Sequence, residues 1–482
     1  MSVRVRFAPS PTGYLHVGGL RTALYNYLFA KHHNGKMILR IEDTDRSRFV
    51  ENATENLISM LEWAGIIVDE SPTKGGEFGP YIQSQRTNIY LEHIHILLNN
   101  GKAYYAFDTA EELDAMREKL QAGNQGDYRY DRMNMKNSIT LGMDKAIELI
   151  NAGIPYVIRM LVPDNEEIIF KDIIRGEVKI SSNEVDDQIL IKSDGFPTYH
   201  LAHLVDDHLM GITHVIRGEE WLPSTPKHCI LYKAFGWEQP EFAHLPLLLN
   251  KDKTKLSKRT GSVAVEDFRE KYIKDAFINF VALLGWNPTG DREIYDFQEL
   301  IDLFNLEKVN KAGAVFDLQK LDWFNFQYLQ KLSPEEMGKM LNEELLKIEK
   351  TGYDLNWLNK VAYALRERVH FISEIPNYAP YFFNDEIEYE QDYLEKHWNA
   401  DKKNIILPLV FELEKCKDFT HDELHSTTKK YCEENGIKMK EVIHPLRLMI
   451  TGKSIGAGMF ETMELIGREK CISRMKKFLE KE

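Results

Sequence analysis

The sequence predicts an α/β fold followed by a long helical region, and three patterns carry this prediction. Residues 3–8 alternate like a half-buried strand, and 37–41 form a second short apolar run. Between them, apolar residues recur at helical spacing. Beyond about Asp275 the periodicity is persistently helical. A chain of 482 residues exceeds what one hydrophobic core usually holds, so we expect roughly two to four domains.

The first elements follow the order strand, loop, helix, strand, helix. Residues 9–13 contain two prolines and a glycine, which cannot continue a strand or a helix. The first helix is expected from Gly19 to about His33, and the second over 50–64. This order is typical of a right-handed parallel unit, whose strands bind nucleotides at their carboxyl ends. We therefore expect a Rossmann-like parallel-sheet domain.

The middle of the chain breaks this pattern. Residues 103–185 mix both kinds of element and predict an inserted α+β module. The expected helices are 110–120 and 143–152, and the expected strands lie near 156–162 and 167–171. The α/β pattern returns over 188–235, and the two halves of the chain divide near Leu321 and Asp322.

Composition restricts the compartment and the partners. A formal net charge of −14 disfavours indiscriminate polyanion binding, but a local basic surface can still dock one folded RNA. The 4 cysteines are scattered and predict no disulfide framework. The first residues lack the apolar core of a signal peptide, and no apolar run is long enough to span a bilayer. We expect a cytoplasmic protein.

Two segments carry residues suited to phosphate chemistry. In residues 8–19 a loop leaves a strand and opens a helix at His16-Val-Gly18-Gly19, where backbone N–H groups and the helix dipole favour an anion. Lys255-Leu-Ser-Lys258-Arg259 concentrates three cations that can clamp a triphosphate. Taken alone, the first segment is also compatible with an ordinary turn, and the second with a solvated basic loop.

Together these segments resemble the two signatures of the class I aminoacyl-tRNA synthetases, in the same order and at a fitting separation. Five further segments are similar to the glutamyl branch of that class, the bacterial type of glutamyl-tRNA synthetase. They are residues 40–45, 193–202, 206–211, 215–221 and 316–323. The resemblance runs the length of the chain and implies ATP-dependent attachment of L-glutamate to tRNA(Glu) through a glutamyl-adenylate.

The resemblance also implies a role for individual residues. Arginine suits a carboxylate because its planar fork pairs bidentately. The implied glutamate site has Arg6 and Arg217 on the carboxylates, Glu42 on the amino group, Tyr199 and Trp221 as walls, and Ala8 and Ser10 as the floor. The implied ATP site has His16, Gly18, Gly19, Glu220, Lys255, Ser257, Lys258 and Arg259, of which His16, Lys255 and Lys258 would be catalytic. Mg²⁺ would enter with the ATP.

Domain roles follow from the same resemblance. The Rossmann-like catalytic domain would comprise 1–102 and 186–250, and the inserted module 103–185 would bind the tRNA acceptor end. Residues 251–322 would carry the lysine loop and contact the tRNA stem. Residues 323–482 would form an all-α anticodon-binding region with two subdomains. We expect a monomer.

Two departures from the resembling family concern metals. His203 stands where that family usually has asparagine, and residues 200, 203 and 207 share a helical face that would suit a metal geometrically. The resemblance places this helix beside the substrates instead, and we expect no protein-bound metal. Some relatives carry a cysteine cluster in the insertion, but no cysteine precedes Cys229 here, so we expect no zinc.

Four alternatives remain at this point. The first alternative is an enzyme that charges tRNA(Gln) as well as tRNA(Glu). The second is a glutaminyl-tRNA synthetase, although Arg217 within residues 215–221 favours the glutamyl branch. A relative that glutamylates a modified tRNA base would lack the helical half. A protein of another class, a non-catalytic RNA-binding or regulatory protein, could use the same scaffold.

Overall fold

The computed structural model describes residues 2–44, 50–122, 129–256, 263–288 and 290–481. The chain divides into two compact units. The first contains Met1–Glu270 and Phe277–Asp317, and the second contains Lys271–Ala276 and Leu318–Glu482. The division therefore precedes the helix Leu318–Leu329. The predicted cut at Leu321 and Asp322 falls inside that helix, where a boundary would interrupt its continuous backbone hydrogen bonds.

The first unit begins with the predicted parallel unit. Strand β1 (Arg4–Phe7) pairs in parallel with β2 (Lys36–Leu39), and helix α1 (Val17–His32) makes the crossover between them. Most of α1 is buried, as expected for a helix that packs against a sheet. Helices α2 (Ala53–Trp63) and α3 (Thr87–Asn99) follow. The predicted order of elements is confirmed.

The inserted segment contributes a three-stranded antiparallel sheet. Strand β3 (Ala103–Ala106) pairs with β4 (Val157–Met160). Helices α4 (Ala110–Ala122), α5 (Ser138–Leu141) and α6 (Met143–Asn151) lie between these strands in sequence. Polar side chains tie the module together: the Tyr130 hydroxyl donates to Asp108 at 2.5 Å, and the Tyr104 hydroxyl donates to Asp187 at 2.7 Å. Tyr105 and Phe107 both pack against Tyr156.

A four-stranded sheet joins the inserted segment to the parallel core. The hairpin of β5 (Glu167–Asp172) and β6 (Gly176–Ser181) precedes β7 (Ile189–Ile191), which pairs with β4. Helix α7 (Tyr199–Leu209), β8 (His214–Gly218), α8 (Thr225–Phe235) and β9 (Glu241–Leu245) complete the region. The sheet order is β6-β5-β9-β8, with β9 parallel to both neighbours. A domain boundary at residue 185, as expected from the sequence, would therefore separate paired strands in both sheets.

The rest of the first unit consists of short strands and helices. Strands β10 (Leu248–Leu249) and β11 (Ala314–Val315) pair in parallel. The helices are α9 (Val265–Arg269), α10 (Lys274–Ala282), which contributes residues to both units, and α11 (Phe297–Leu303).

The described part of the second unit is helical. Its helices are α12 (Leu318–Leu329), α13 (Pro334–Lys347), α14 (Leu355–Leu365), α15 (Ile375–Tyr378), α16 (Gln391–His397), α17 (Ala400–Glu414), α18 (His421–Asn435), α19 (Met439–Thr451), α20 (Met459–Ile466) and α21 (Arg468–Lys481). Buried apolar side chains form two clusters, one around Leu341 and Leu365 and one around Leu409 and Met449. Among all the residues described, no helix is long and apolar enough to cross a membrane.

Candidate active site

One cleft in the first unit collects the predicted site residues. It has a volume of about 720 Å³ and lies where β1 and β8 end. Its lining includes Arg6, Ala8, Ser10, His16, Gly18, Gly19, Glu42, Tyr199, Arg217, Glu220, Trp221 and Lys255. These are all the predicted site residues that the structure describes. Ser257, Lys258 and Arg259 lie outside the described residues.

The turn before α1 presents an imidazole at the helix N-terminus. His16 is the N-cap of α1, and its Nδ1 accepts a hydrogen bond from the Gly19 N–H at 3.1 Å. In the neutral ring this bond places the proton on Nε2. A Cβ on Gly18 would come within 3.0 Å of the His16 ring. A larger residue at position 18 would therefore crowd the imidazole, and glycine avoids this contact. The turn can thus offer both an N–H donor and a helix dipole to an anion.

The segment that follows the lysine loop lies beside this turn. Lys255, the first residue of the loop motif, forms an antiparallel β-bridge with Leu249 on β10. After the loop, the Val17 N–H donates to the Val263 carbonyl, and the Val265 N–H donates to the Leu15 carbonyl, both at 2.9 Å. Two segments that are distant in sequence are therefore held side by side by backbone hydrogen bonds.

A buried ion cluster forms one wall. Arg6 Nε donates to both Asp207 oxygens at 3.1 and 3.2 Å, and Arg40 donates to Asp207 at 2.8 Å and to Glu42 at 2.9 Å. Burial opposes ionisation of Asp207, but the charges of Arg6 and Arg40 prevail and lower its pKa well below the usual range. Burial raises the pKa of Glu42, and the same two arginines limit that rise. The cluster orders Arg6 and Glu42 at the cleft.

Arg217 lies in a different electrostatic environment. Its Nε donates to His244 Nε2 at 3.0 Å, and its two terminal nitrogens donate to Tyr199 Oη at 3.2 Å and Thr225 Oγ1 at 3.0 Å. Nη2 also lies 3.3 Å from His228 Nδ1. Arg217 is only 5% exposed, and within the described part of the chain no carboxylate pairs with its guanidinium. A buried cation with neutral partners favours an anionic ligand, because an unpaired buried charge is costly.

Aromatic rings border Arg217 on its cleft side. Tyr199 and Trp221 lie with their ring centroids 4.3 Å apart, tilted by 32°. Burial raises the pKa of Tyr199, so its hydroxyl stays protonated at neutral pH. The two rings provide an apolar wall that excludes water and strengthens charge interactions within the site.

The helical face that would suit a metal has other partners. His200 Nδ1 and His203 Nε2 each lie 3.1 Å from His228 Nε2, and His203 Nδ1 lies 3.4 Å from Asp207. Asp207 itself is engaged by the two arginines. The residues described contain no group of three or more potential ligands arranged for a metal ion. These histidines instead connect the ion cluster to the surroundings of Arg217.

The histidine cluster predicts a stability loss in mild acid. Burial lowers the pKa of His203 to about 4 and that of His200 to about 3, and it lowers the pKa of His228 well below its usual value. The unfolded chain takes up these protons below about pH 6.5, whereas the folded chain does not until its depressed pKa values are reached. The folded chain is therefore most stable above about pH 6.5, and its free energy of unfolding falls as the pH drops below that value. At pH 5.5 we expect a loss of about 1.4 kcal/mol per histidine, measured by denaturant unfolding.

His203→Asn provides the control for this prediction. Asparagine does not titrate, so about 1.4 kcal/mol of the loss between pH 7.5 and 5.5, the share of this one histidine, should disappear. An unchanged pH dependence in this variant would mean that His203 is already solvated or protonated in the folded state.

The sequence did not identify the residues behind Arg217. Asp172, Thr225, His228 and His244 contact it directly or through one neighbour. A signal was present, because His244 interrupts the apolar run within β9 (Glu241–Leu245), and a polar residue buried in a strand requires a partner. The partner itself could not be read from the sequence, since Asp172 lies 72 residues away.

Comparison with known proteins agrees with this geometry. The family described as class I tRNA synthetases (E and Q), catalytic domain, matches residues 2–323, and an anticodon binding domain matches residues 328–479. The chain therefore belongs to the class I tRNA synthetases of the E and Q group. The predicted family and fold class are confirmed.

The particular relatives carry one name. The chain is 49% identical over 494 residues to the glutamate–tRNA ligase of Chloroherpeton thalassium, covering 100% of this chain and 98% of the relative. It is 48% identical to that of Chlorobaculum parvum, covering 99% and 98%. A crystal structure of a glutamate tRNA ligase from Elizabethkingia meningosepticum, in complex with its amino acid, matches with a TM-score of 0.94 at 42% identity, covering 100% of this chain and 99% of that one.

Proposed function

We propose that this chain is a glutamate–tRNA ligase, which joins L-glutamate to the 3′ end of tRNA(Glu) with ATP. One observation carries the proposal. The cleft that holds the His16 turn and Lys255 also holds Arg217, a buried guanidinium whose hydrogen-bond acceptors are all neutral. A phosphate-binding end and a carboxylate-binding end in one cleft suit the activation of an acidic amino acid.

The amino acid lies at the arginine end of the cleft. Arg217 and Arg6 hold the glutamate carboxylates, and Glu42 accepts hydrogen bonds from the α-ammonium group. Tyr199 and Trp221 form the walls, and Ala8 and Ser10 form the floor. Because Arg40 and Asp207 already fix Arg6 and Glu42, little side-chain freedom is lost when the substrate binds.

ATP lies at the other end, against the N-terminus of α1. His16 donates from Nε2 to the phosphoryl group in the transition state, while Gly18 and Gly19 let the nucleotide approach the backbone. Lys255 and Lys258 attract the β- and γ-phosphates, with Ser257 and Arg259 in the same loop, and Glu220 contacts the adenosine. ATP enters as its Mg²⁺ complex, so the metal belongs to the substrate.

The reaction has two steps at this site. A glutamate α-carboxylate oxygen attacks the α-phosphorus of ATP in line, the bond to the bridging oxygen breaks, and pyrophosphate leaves. The 2′-hydroxyl of the tRNA 3′-terminal ribose then attacks the acyl carbon of glutamyl-adenylate, and AMP leaves as the ester forms. Both steps depend on positioning and charge stabilisation rather than on a protein nucleophile.

The remaining segments handle the tRNA. The inserted segment 103–185 binds the acceptor end, 251–322 contacts the stem, and the helical unit from 323 to 482 binds the anticodon. The match of residues 328–479 to an anticodon binding domain supports the last assignment. The protein acts as a monomer in the cytoplasm.

Charging assays test this function against its alternatives. With purified tRNA(Glu), tRNA(Gln), glutamate and glutamine, we expect esterification of tRNA(Glu) by glutamate and little use of glutamine. Charging of tRNA(Gln) by glutamate would identify a non-discriminating enzyme, and preference for glutamine would identify the glutaminyl alternative. Failure to esterify any tRNA, with pyrophosphate exchange also absent in the presence of tRNA, would refute the proposal.

A further inference from the structure

A buried relay of three side chains crosses the four-stranded sheet behind the cleft. Asp172 ends β5, His244 is on β9, and Arg217 is on β8, and β9 lies between the other two strands. His244 Nδ1 lies 2.6 Å from Asp172 Oδ2, and Arg217 Nε lies 3.0 Å from His244 Nε2. Asp172 is 1% exposed and His244 0%. The relay is therefore part of the sheet interior.

The direction of each hydrogen bond in the relay is fixed. The arginine Nε can only donate, so His244 Nε2 must accept, and the ring proton must lie on Nδ1, where it is donated to Asp172. Burial lowers the pKa of His244, the hydrogen bond to Asp172 opposes this shift, and the charge of Arg217 adds to it. Because Nε2 accepts from Arg217 Nε and so carries no proton, the imidazole is neutral. Strand register supports the arrangement, since Arg217 and His244 are direct partners on β8 and β9.

This arrangement differs from the direct pairing of Arg6. Arg6 donates to Asp207 itself, so an adjacent carboxylate compensates its charge. In the relay an imidazole separates Asp172 from Arg217, so the carboxylate fixes the imidazole without occupying the guanidinium. The Thr225 hydroxyl, another neutral group, lies 3.0 Å from Arg217 Nη2 and 3.2 Å from His244 Nε2. The guanidinium is oriented, yet its charge remains available.

We propose that Asp172 and His244 are positioning residues that orient Arg217 and thereby make the pocket select a carboxylate over a carboxamide. This inference rests on the proposed function, because it assumes that Arg217 binds the substrate carboxylate. A carboxamide also accepts hydrogen bonds, but it does not neutralise the buried charge. The selection of glutamate over glutamine therefore depends on an Arg217 that is both aligned and electrostatically unpaired.

Two substitutions of His244 distinguish its hydrogen bond with Arg217 from its hydrogen bond with Asp172. In His244→Asn the amide can still donate to Asp172, but the acceptor for Arg217 is lost. In His244→Gln the longer side chain can still place its carbonyl oxygen toward Arg217, and the donor to Asp172 is lost. We expect His244→Asn to raise the KM for glutamate and to reduce the preference for glutamate over glutamine, each at least tenfold. His244→Gln should stay within about threefold of the wild type on both measures.

Pyrophosphate exchange with tRNA present measures both amino acids, and thermal unfolding reports on folding. The KM for ATP should change less than twofold in both variants. Equal kinetic losses in the Asn and Gln variants, in proportion to their loss of thermal stability, would overturn the relay and leave only a structural role. Unchanged KM and preference in His244→Asn would overturn it as well.

Asp172→Asn provides an independent test if His244→Asn does not fold. An amide in place of the carboxylate removes the charge that fixes the His244 proton on Nδ1, so the KM for glutamate should again rise while the KM for ATP does not. A wild-type KM in this variant would refute the role of Asp172. Wild-type enzyme that fails to charge tRNA with glutamate would refute the proposed function instead, so the two failures are distinguishable.

Discussion

Arg217→Ala should lower kcat/KM for glutamate by roughly 10²–10³-fold. The substitution removes the buried cation that pairs with the substrate carboxylate, and such a hydrogen-bonded charge pair is worth about 3–4 kcal/mol. Most of the loss should be in the KM for glutamate, and the KM for ATP should stay within about twofold, since the His16 turn and Lys255 are unchanged. The preference for glutamate over glutamine should also fall, because the charge that rejects the amide is gone. Pyrophosphate exchange with both amino acids, in the presence of tRNA, provides these values.

Two further substitutions, one at Arg217 and one at an exposed lysine, make this result specific. Arg217→Lys keeps the charge but not the planar fork that contacts His244, Thr225 and Tyr199, so we expect a loss of about tenfold. Lys233→Ala removes an exposed cation on α8 that pairs with Glu166, outside the cleft, and its kinetics should match the wild type. If Arg217→Ala raised the KM for ATP and left that for glutamate unchanged, the assignment of the two ends of the cleft would be reversed.

Local sequence predicted the parallel core and the residues that reach the cleft from it. The strand over 3–8 and the helix after Gly19 were readable because each buries a regular set of apolar residues. The residues proposed for the site stand at the ends of these elements, where parallel strands open toward ligands. His16 and Lys255 belong to motifs whose chemistry is local to a few residues, so each could be predicted as a site residue without knowledge of the fold.

Long-range pairing was not readable from the sequence. The hairpin β5–β6 lies inside the expected insertion, but β5 pairs with β9 and so brings Asp172 behind Arg217. Strand pairing depends on the match of whole surfaces rather than on a local pattern, so periodicity identified the strands and not their neighbours. The same limit explains why the expected domain boundary at residue 185 separates strands that share a sheet.

Helix α7 shows that a local pattern does not determine which groups a side chain contacts. Residues 200, 203 and 207 do share a face, as helical spacing requires. His203 and Asp207 approach each other at 3.4 Å, but His203 also contacts His228 on α8, and Asp207 accepts hydrogen bonds from Arg6 on β1 and from Arg40. Spacing established which side chains are neighbours on one helix, and tertiary structure determined what those side chains bind.

His16→Ala should lower kcat by roughly 10²–10³-fold and leave the KM for glutamate almost unchanged. The loss of an oriented donor to charge that develops only in the transition state reduces kcat rather than ground-state binding. The structure gives His16 a second function, because its Nδ1 caps α1 through the Gly19 N–H. The alanine variant should therefore also be less stable by about 1 kcal/mol, as measured by denaturant unfolding.

Asparagine and glutamine at position 16 separate capping from catalysis. His16→Asn keeps an oxygen that can accept from the Gly19 N–H, and asparagine is among the best N-cap residues, so stability should return to the wild-type value while kcat stays low. His16→Gln can extend an amide N–H toward the position of Nε2, so it should recover part of kcat. If the asparagine variant regained activity together with stability, His16 would serve the helix alone, and the phosphoryl donor would have to be another group in the cleft.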